Sequence, residues 1–330
     1  MNDPINAPTN EPLGGPTNLP SQAQPRSVLH KIFICGDGLR AGWSLLVFFG
    51  LMAGSSKGLN VILHALHVVP PKPGAEISPG FGIVGEFVPF LITLLVAWIM
   101  SRIEKRPSSV YGLSLERAAP NFFVGLGWGV AFLSLLVLIL WKSGLLVFDR
   151  ELLFGGEVLG YAMIWLVGFL CVGLLEEYLT RGYLLFTLAR GLAGIYGWLF
   201  KTRQSKALGF WTAAAVLSVL FGLGHGNNPG ESPIGLLAAG LAGLVFCLSL
   251  WRTGSLWWAI GFHTSWDWAQ SFLYGVADSG LMIQHHLIAT HPLGKPLLSG
   301  GTTGPEGSVF VLPVLALVSV VIIFTLPRQS

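Results

Sequence analysis

The chain has 330 residues, of which 52% are hydrophobic and only 11% charged, with a mean hydropathy of +0.67. Soluble domains carry about 25% charged residues, so this composition excludes an ordinary soluble protein and indicates a polytopic membrane protein. A net charge of +3, dispersed along the chain, does not support nucleic-acid binding. The 12 Trp and 43 Gly suit a membrane protein, since Trp collects at interfaces and Gly lets helices approach closely.

Residues 1–28 are rich in Pro, Asn, Gly, Ser and Gln and contain no apolar run. They lack the apolar core of a signal peptide and, with the stretch up to residue 39, are expected to form a disordered cytoplasmic tail. Residues 40–330 read as one integral membrane helical domain. Hydropathy predicts an all-α bundle of about eight spans, at 41–66, 84–101, 122–141, 157–177, 208–225, 233–250, 255–275 and 308–326. Ser55, Ser56 and Lys57 interrupt the first of them. The stretch 181–200 is apolar but broken by Arg190 and glycines, and reads as a half-buried interfacial helix rather than a span. The connection 276–307 contains GGTTGPEGS with Glu306, and reads as a surface excursion more than as a cap over a site.

Basic residues set the expected orientation. With both termini in the cytoplasm, that side receives Arg26, Lys31, Arg40, Arg102, Lys105, Arg106, Arg117, Arg181, Arg190, Lys201, Arg203, Lys206, Arg252 and Arg328. The opposite side receives only Lys72, Lys142, Arg150 and Lys295. This is the bias of the positive-inside rule, and a plasma-membrane location is expected. Cys35, Cys171 and Cys247 are an odd number at wide spacing, which suits small core residues better than disulfides or a cysteine zinc site.

Against this background the ionisable residues inside apolar spans stand out. Each costs roughly 2.5–3.5 kcal/mol at a helix centre, so such groups are expected to face a shared polar interior. In LLEEYLTRGYLL, Glu177 and Arg181 lie four apart in the favourable order for an ion pair, while Glu176 points about 100° away and stays available as a base. A plain salt bridge at a helix end explains the pair equally well. In VLSVLFGLGHGNNPG, His225 shares a helical face with Phe221 and ends the span. Alone it reads more readily as an interfacial histidine than as a catalyst. In LWWAIGFHTSWDWAQSFL, His263 and Asp267 are four apart and Gln270 continues the stripe, a pattern harder to attribute to packing. Glu86 has no partner in its own segment and reads as a polar neighbour of the site.

The order Glu-Glu-x-x-x-Arg, Phe-x-x-x-His and His-x-x-x-Asp on successive helices resembles the CPBP family of intramembrane endopeptidases, which includes the type II CAAX prenyl proteases. Any one motif is weak, but three in order over about residues 160–275 are strong. The resemblance implies that Glu176 and His225 activate a water for attack on a peptide carbonyl. It implies that Arg181 fixes Glu177, and that His263 and Asp267 stabilise the oxyanion. The implied substrate is a membrane-associated peptide or protein, prenylated or unmodified. The departure is at Asp267, where the CAAX protease has Asn, because an ionised carboxylate cannot donate to an oxyanion. A protonated Asp267, an Asp267 that orients His263, and one that binds something else are all open, with orientation preferred. A Glu and two His also resemble the ligands of hydrolytic zinc enzymes, although no His-Glu-x-x-His helix is present. Two other classes fit the same residues. An ion-coupled transporter predicts dependence on an ion gradient without hydrolysis, and a non-catalytic scaffold or immunity protein predicts a function that survives loss of Glu176.

Overall fold

Serine-proline pairs start two of the helices. Ser78 and Ser232 each accept a hydrogen bond from the backbone amide three residues on, and Pro79 and Pro233 occupy the first helical position, where a missing N–H costs nothing. The computed structural model describes residues 33–327 apart from 36, 37, 70, 71 and 73. The predicted tail up to residue 32, with Arg26 and Lys31, lies outside the described residues, as does Arg328.

Among the described residues every predicted span is a helix. They are α1 (Ala41–Ala65), α2 (Pro79–Ile103), α3 (Ala118–Lys142), α4 (Gly156–Glu177), α5 (Leu185–Phe200), α6 (Ser205–Gly224), α7 (Pro233–Thr253), α8 (Trp257–Trp268) and α9 (Val311–Thr325). The architecture is an all-α membrane bundle, and the chain is an integral membrane protein. Six helical stretches are long and apolar enough to cross a bilayer, so eight spans is an approximation. The exceptions are α8 and α9. Helix α8 has 12 residues, of which nine are buried, because it runs through the middle of the bundle with other helices around it.

Ser55, Ser56 and Lys57 do not break α1, which is continuous and largely exposed, burying only Ser44 and Phe48. Residues 181–200 form a half-buried helical segment, as expected, but not a separate one. They continue α4 through a seven-residue π-helical segment, Tyr178–Leu184, into α5. The combined helical stretch has 45 residues, more than one crossing of the bilayer core requires. A second π-helical segment, Ala269–Leu273, follows α8. The first follows directly on Glu176–Glu177, and the second begins two residues after Asp267. π-Turns of this kind are frequent at functional sites. In the first, the Thr180 hydroxyl donates to the Glu176 carbonyl.

Helices α3 and α8 meet backbone to backbone. A Cβ on Gly125 would lie 2.1 Å from the Trp258 carbonyl oxygen, one on Gly129 2.3 Å from that of Phe262, and one on Gly261 2.1 Å from that of Phe122. This small-residue seam, typical of membrane helices, fixes the height and rotation of α8. On its other side Gly173 of α4 packs against Thr264. The two motif-bearing helices are therefore held close together.

At one end of the bundle Arg190 bonds the Leu39 carbonyl and lies 4.0 Å from buried Glu104, and Arg252 bonds the carbonyls of Ile323 and Leu326. The other end is closed by residues 274–310. Strand β1 (Leu146–Glu151) pairs antiparallel with β2 (Ile288–Pro292), with a bulge between Phe148 and Arg150.

Candidate active site

The six motif residues come from α4 and its π-turn, the end of α6, and α8. Arg181 Nη1 donates to Glu177 Oε1 at 2.8 Å, with both side chains at least 97% buried. The π-turn carries Arg181 inward, where its guanidinium lies 4.0 Å from the Phe221 ring centre. Gly243 of α7 leaves space for it, since a Cβ there would be 2.8 Å from Nη2. The ion pair of the sequence reading is thus buried in the bundle rather than solvated at a helix end.

Glu177 also bonds His263. Its Oε1 lies 3.0 Å from His263 Nδ1, so the ring donates Nδ1–H and its other nitrogen, Nε2, faces away from Glu177. Around Nε2 stand Glu176 Oε2 at 3.8 Å and Asp267 Oδ2 at 3.4 Å. One imidazole therefore joins three carboxylates. The ring contact expected of Asp267 is present at Nε2, and Glu177 adds a second one at Nδ1. Asp267, 5% exposed, sits on the opposite edge of the ring.

His225 begins a short 3₁₀ turn after α6. Its Nδ1 lies 2.8 Å from the Phe221 carbonyl, which leaves Nε2 for the interior. His225, Glu176, His263 and Asp267 line a common cavity of about 180 Å³. Glu86 of α2 lines it too, which places this residue beside the site as its sequence position suggested.

The stretch 276–307 is not a surface excursion. Asp278, Ser279 and Glu306 line the same cavity and cover one end of it. Trp266 Nε1 donates to Glu306 Oε1 at 2.8 Å, Ser279 Oγ to Glu306 Oε2 at 3.1 Å, and Gln270 Nε2 to the Ala277 carbonyl at 2.8 Å. The cap is thereby tied to α8 at Trp266, beside Asp267, and to the π-helical segment after it at Gln270. Burial, reinforced by Asp267 and Glu306, pushes the Asp278 carboxyl well above the ordinary range. Burial also raises Glu231, at the entrance to α7. The contribution of Asp278 was missed in the sequence because nothing local marks an acidic loop residue that folds back over a distant helix.

Among the described residues no three His, Cys, Asp or Glu side chains stand in a geometry that holds a metal ion, while the Nδ1 contacts of His225 and His263 leave the Nε2 atom of each ring free. Cys171 and Cys247 are free buried thiols.

No curated protein and no solved structure matches the chain at significance. Residues 158–269 match the family model described as type II CAAX prenyl endopeptidase Rce1-like. That segment is about a third of the chain, and it carries all six motif residues. The match supports assignment of the chain to the CPBP/CAAX protease family.

Proposed function

We propose that this protein is an intramembrane endopeptidase that hydrolyses a peptide bond of a membrane-associated peptide or protein, using a water activated by Glu176 and His225. The observation that carries this reading is the meeting of Glu176, His225 and His263 at one cavity within the helix bundle, with Glu177 and Arg181 holding the first motif from behind. Glu176, with 30% of its side chain open to the cavity, is placed to accept a proton from water. His225 presents Nε2 to the same space. The protonated form of His263 offers Nε2–H to a developing oxyanion while Nδ1–H stays on Glu177. Asp267 at 3.4 Å balances that charge without competing as an oxyanion donor.

The orientation that goes with this reading places the basic end, with Arg40, Arg102–Arg117 and Arg252, in the cytoplasm, and the cap on the far side of a plasma membrane. The test is hydrolysis of a mixed library of prenylated and unmodified peptides by detergent-purified protein. Glu176→Ala and His225→Ala are each expected to abolish cleavage. The double variant is expected to be about as inactive as either single one, because residues sharing one step lose activity non-additively. Independent multiplication of the two losses would rule out a shared water.

A further inference from the structure

Five carboxyls line the cavity: Glu86, Glu176, Asp267, Asp278 and Glu306. No lysine or arginine is among the lining residues, and the basic groups there are His225 and His263. Arg181 is spent on Glu177 and lies behind the lining. Glu306 accepts from both Trp266 and Ser279, one bond on each oxygen. Asp267 is 5% exposed and is paired with His263, whose Nε2 lies 3.4 Å from its Oδ2. The Asp278 carboxyl, which lines the same cavity, receives no hydrogen bond from the described residues. Five carboxyls against two histidines, with no lysine or arginine, leave the cap side of the cavity short of positive charge. A divalent ion does not fill that need, because the carboxyls are not gathered as a ligand set.

We propose that the substrate places a basic side chain, a lysine ammonium or arginine guanidinium, against Asp267, Asp278 and Glu306, and that this contact selects which bond is presented to Glu176 and His225. The inference rests on the peptidase reading above for its mention of a bond, but the charge preference is a binding property in its own right. A cation with several N–H donors supplies hydrogen bonds to Asp278 and offsets the excess of carboxyls over basic groups in one step. The negative lining disfavours acidic side chains at the same position. The feature is set by the cap together with Asp267, the position at which this chain departs from the CAAX pattern.

The test uses full-length detergent-purified protein and one fluorescent, lipid-anchored peptide in lysine, glutamine and glutamate forms, the varied residue being walked along the peptide. At one register the lysine form is expected to bind about tenfold more tightly than the glutamine form, and the glutamate form more weakly than both. Asp278→Asn and Glu306→Gln, which keep the size of the side chain and remove its charge, are each expected to cut that ratio of lysine to glutamine binding several-fold. Equal binding of all three forms at every register overturns the proposal, even if the peptides are cleaved. A lysine preference without any cleavage leaves the proposal standing and removes the peptidase reading. Should one cap variant fail to fold, the other supplies the comparison.

Discussion

Glu177 Oε1 receives both the Arg181 guanidinium at 2.8 Å and the His263 ring at 3.0 Å, so one buried oxygen couples the first motif to the third. The consequence is directional. The ring is oriented from the Nδ1 side, and its Nε2 edge is left to the cavity. Glu177→Gln preserves volume and one acceptor but weakens both contacts. It is expected to lower kcat by about 10²-fold, the scale for a misplaced catalytic group, with a smaller effect on KM. Glu177→Ala leaves Arg181 buried and unpaired, which costs roughly 3–5 kcal/mol and is expected to destabilise the fold itself. Thermal unfolding in detergent alongside kinetics separates the two variants. A Glu177→Gln protein with parental kcat would remove the orienting role.

Hydropathy alone located the eight helical segments, because lipid imposes one rule along a whole span. It did less well where neighbouring helices replace lipid. Helix α8 is short and enclosed, and α4 passes through a π-turn into α5, a change in hydrogen bonding that no residue pattern announces. The pairing of Glu177 with Arg181 was legible because i, i+4 spacing is local. The Glu177–His263 bond was not, since it depends on the rotation of α8 set by Gly125, Gly129 and Gly261 against their neighbours. Asp278 and Glu306 reach the cavity through a folded-back loop tied to Trp266 and Gln270, and such long-range closure leaves no periodic trace.

Topology gives a second expectation. Ser109, exposed in the connection after α2, and Lys295, exposed beyond β2, lie at opposite ends of the bundle. With Cys35 replaced, and with Cys171 and Cys247 buried, single cysteines at these two positions are expected to react from opposite sides of a sealed vesicle with an impermeant thiol reagent. Lys295→Cys should label from outside intact cells and Ser109→Cys only after permeabilisation. Labelling of both from one side would contradict the arrangement of spans.

Asp267→Asn tests the departure from the CAAX pattern. The substitution keeps the size of the side chain and adds an N–H donor next to His263 Nε2, where the carboxylate now stands at 3.4 Å. Since Glu177 already orients the ring, folding is expected to be unchanged and kcat on a neutral peptide to shift by less than about tenfold. A zinc chelator is expected to leave the activity of both proteins unaltered, since the donor geometry does not assemble a ligand set. Stoichiometric zinc by elemental analysis, lost together with activity in the Asn variant, would establish the opposite.

The cap carries a pH dependence whose sign is set by Asp278. Its carboxyl is raised by burial first, then by Asp267 and Glu306, with Glu176 adding to the rise and His263 opposing it. A group whose folded pKa lies above its unfolded value of about 3.9 binds more protons in the folded state between those values. Its stabilising contribution is therefore fully present below the unfolded pKa and is lost as pH rises through the folded one. Glu231, also raised by burial, adds a slope of the same sign. Hydrogen exchange over residues 276–307 is expected to be slower at pH 5 than at pH 8.5 after correction for intrinsic rates. Asp278→Asn, which cannot ionise, should flatten most of that difference while leaving exchange in α3 unchanged. A cap equally protected at both pH values in the parent protein would mean that Asp278 is ionised without cost, and that its surroundings already hold a compensating positive charge.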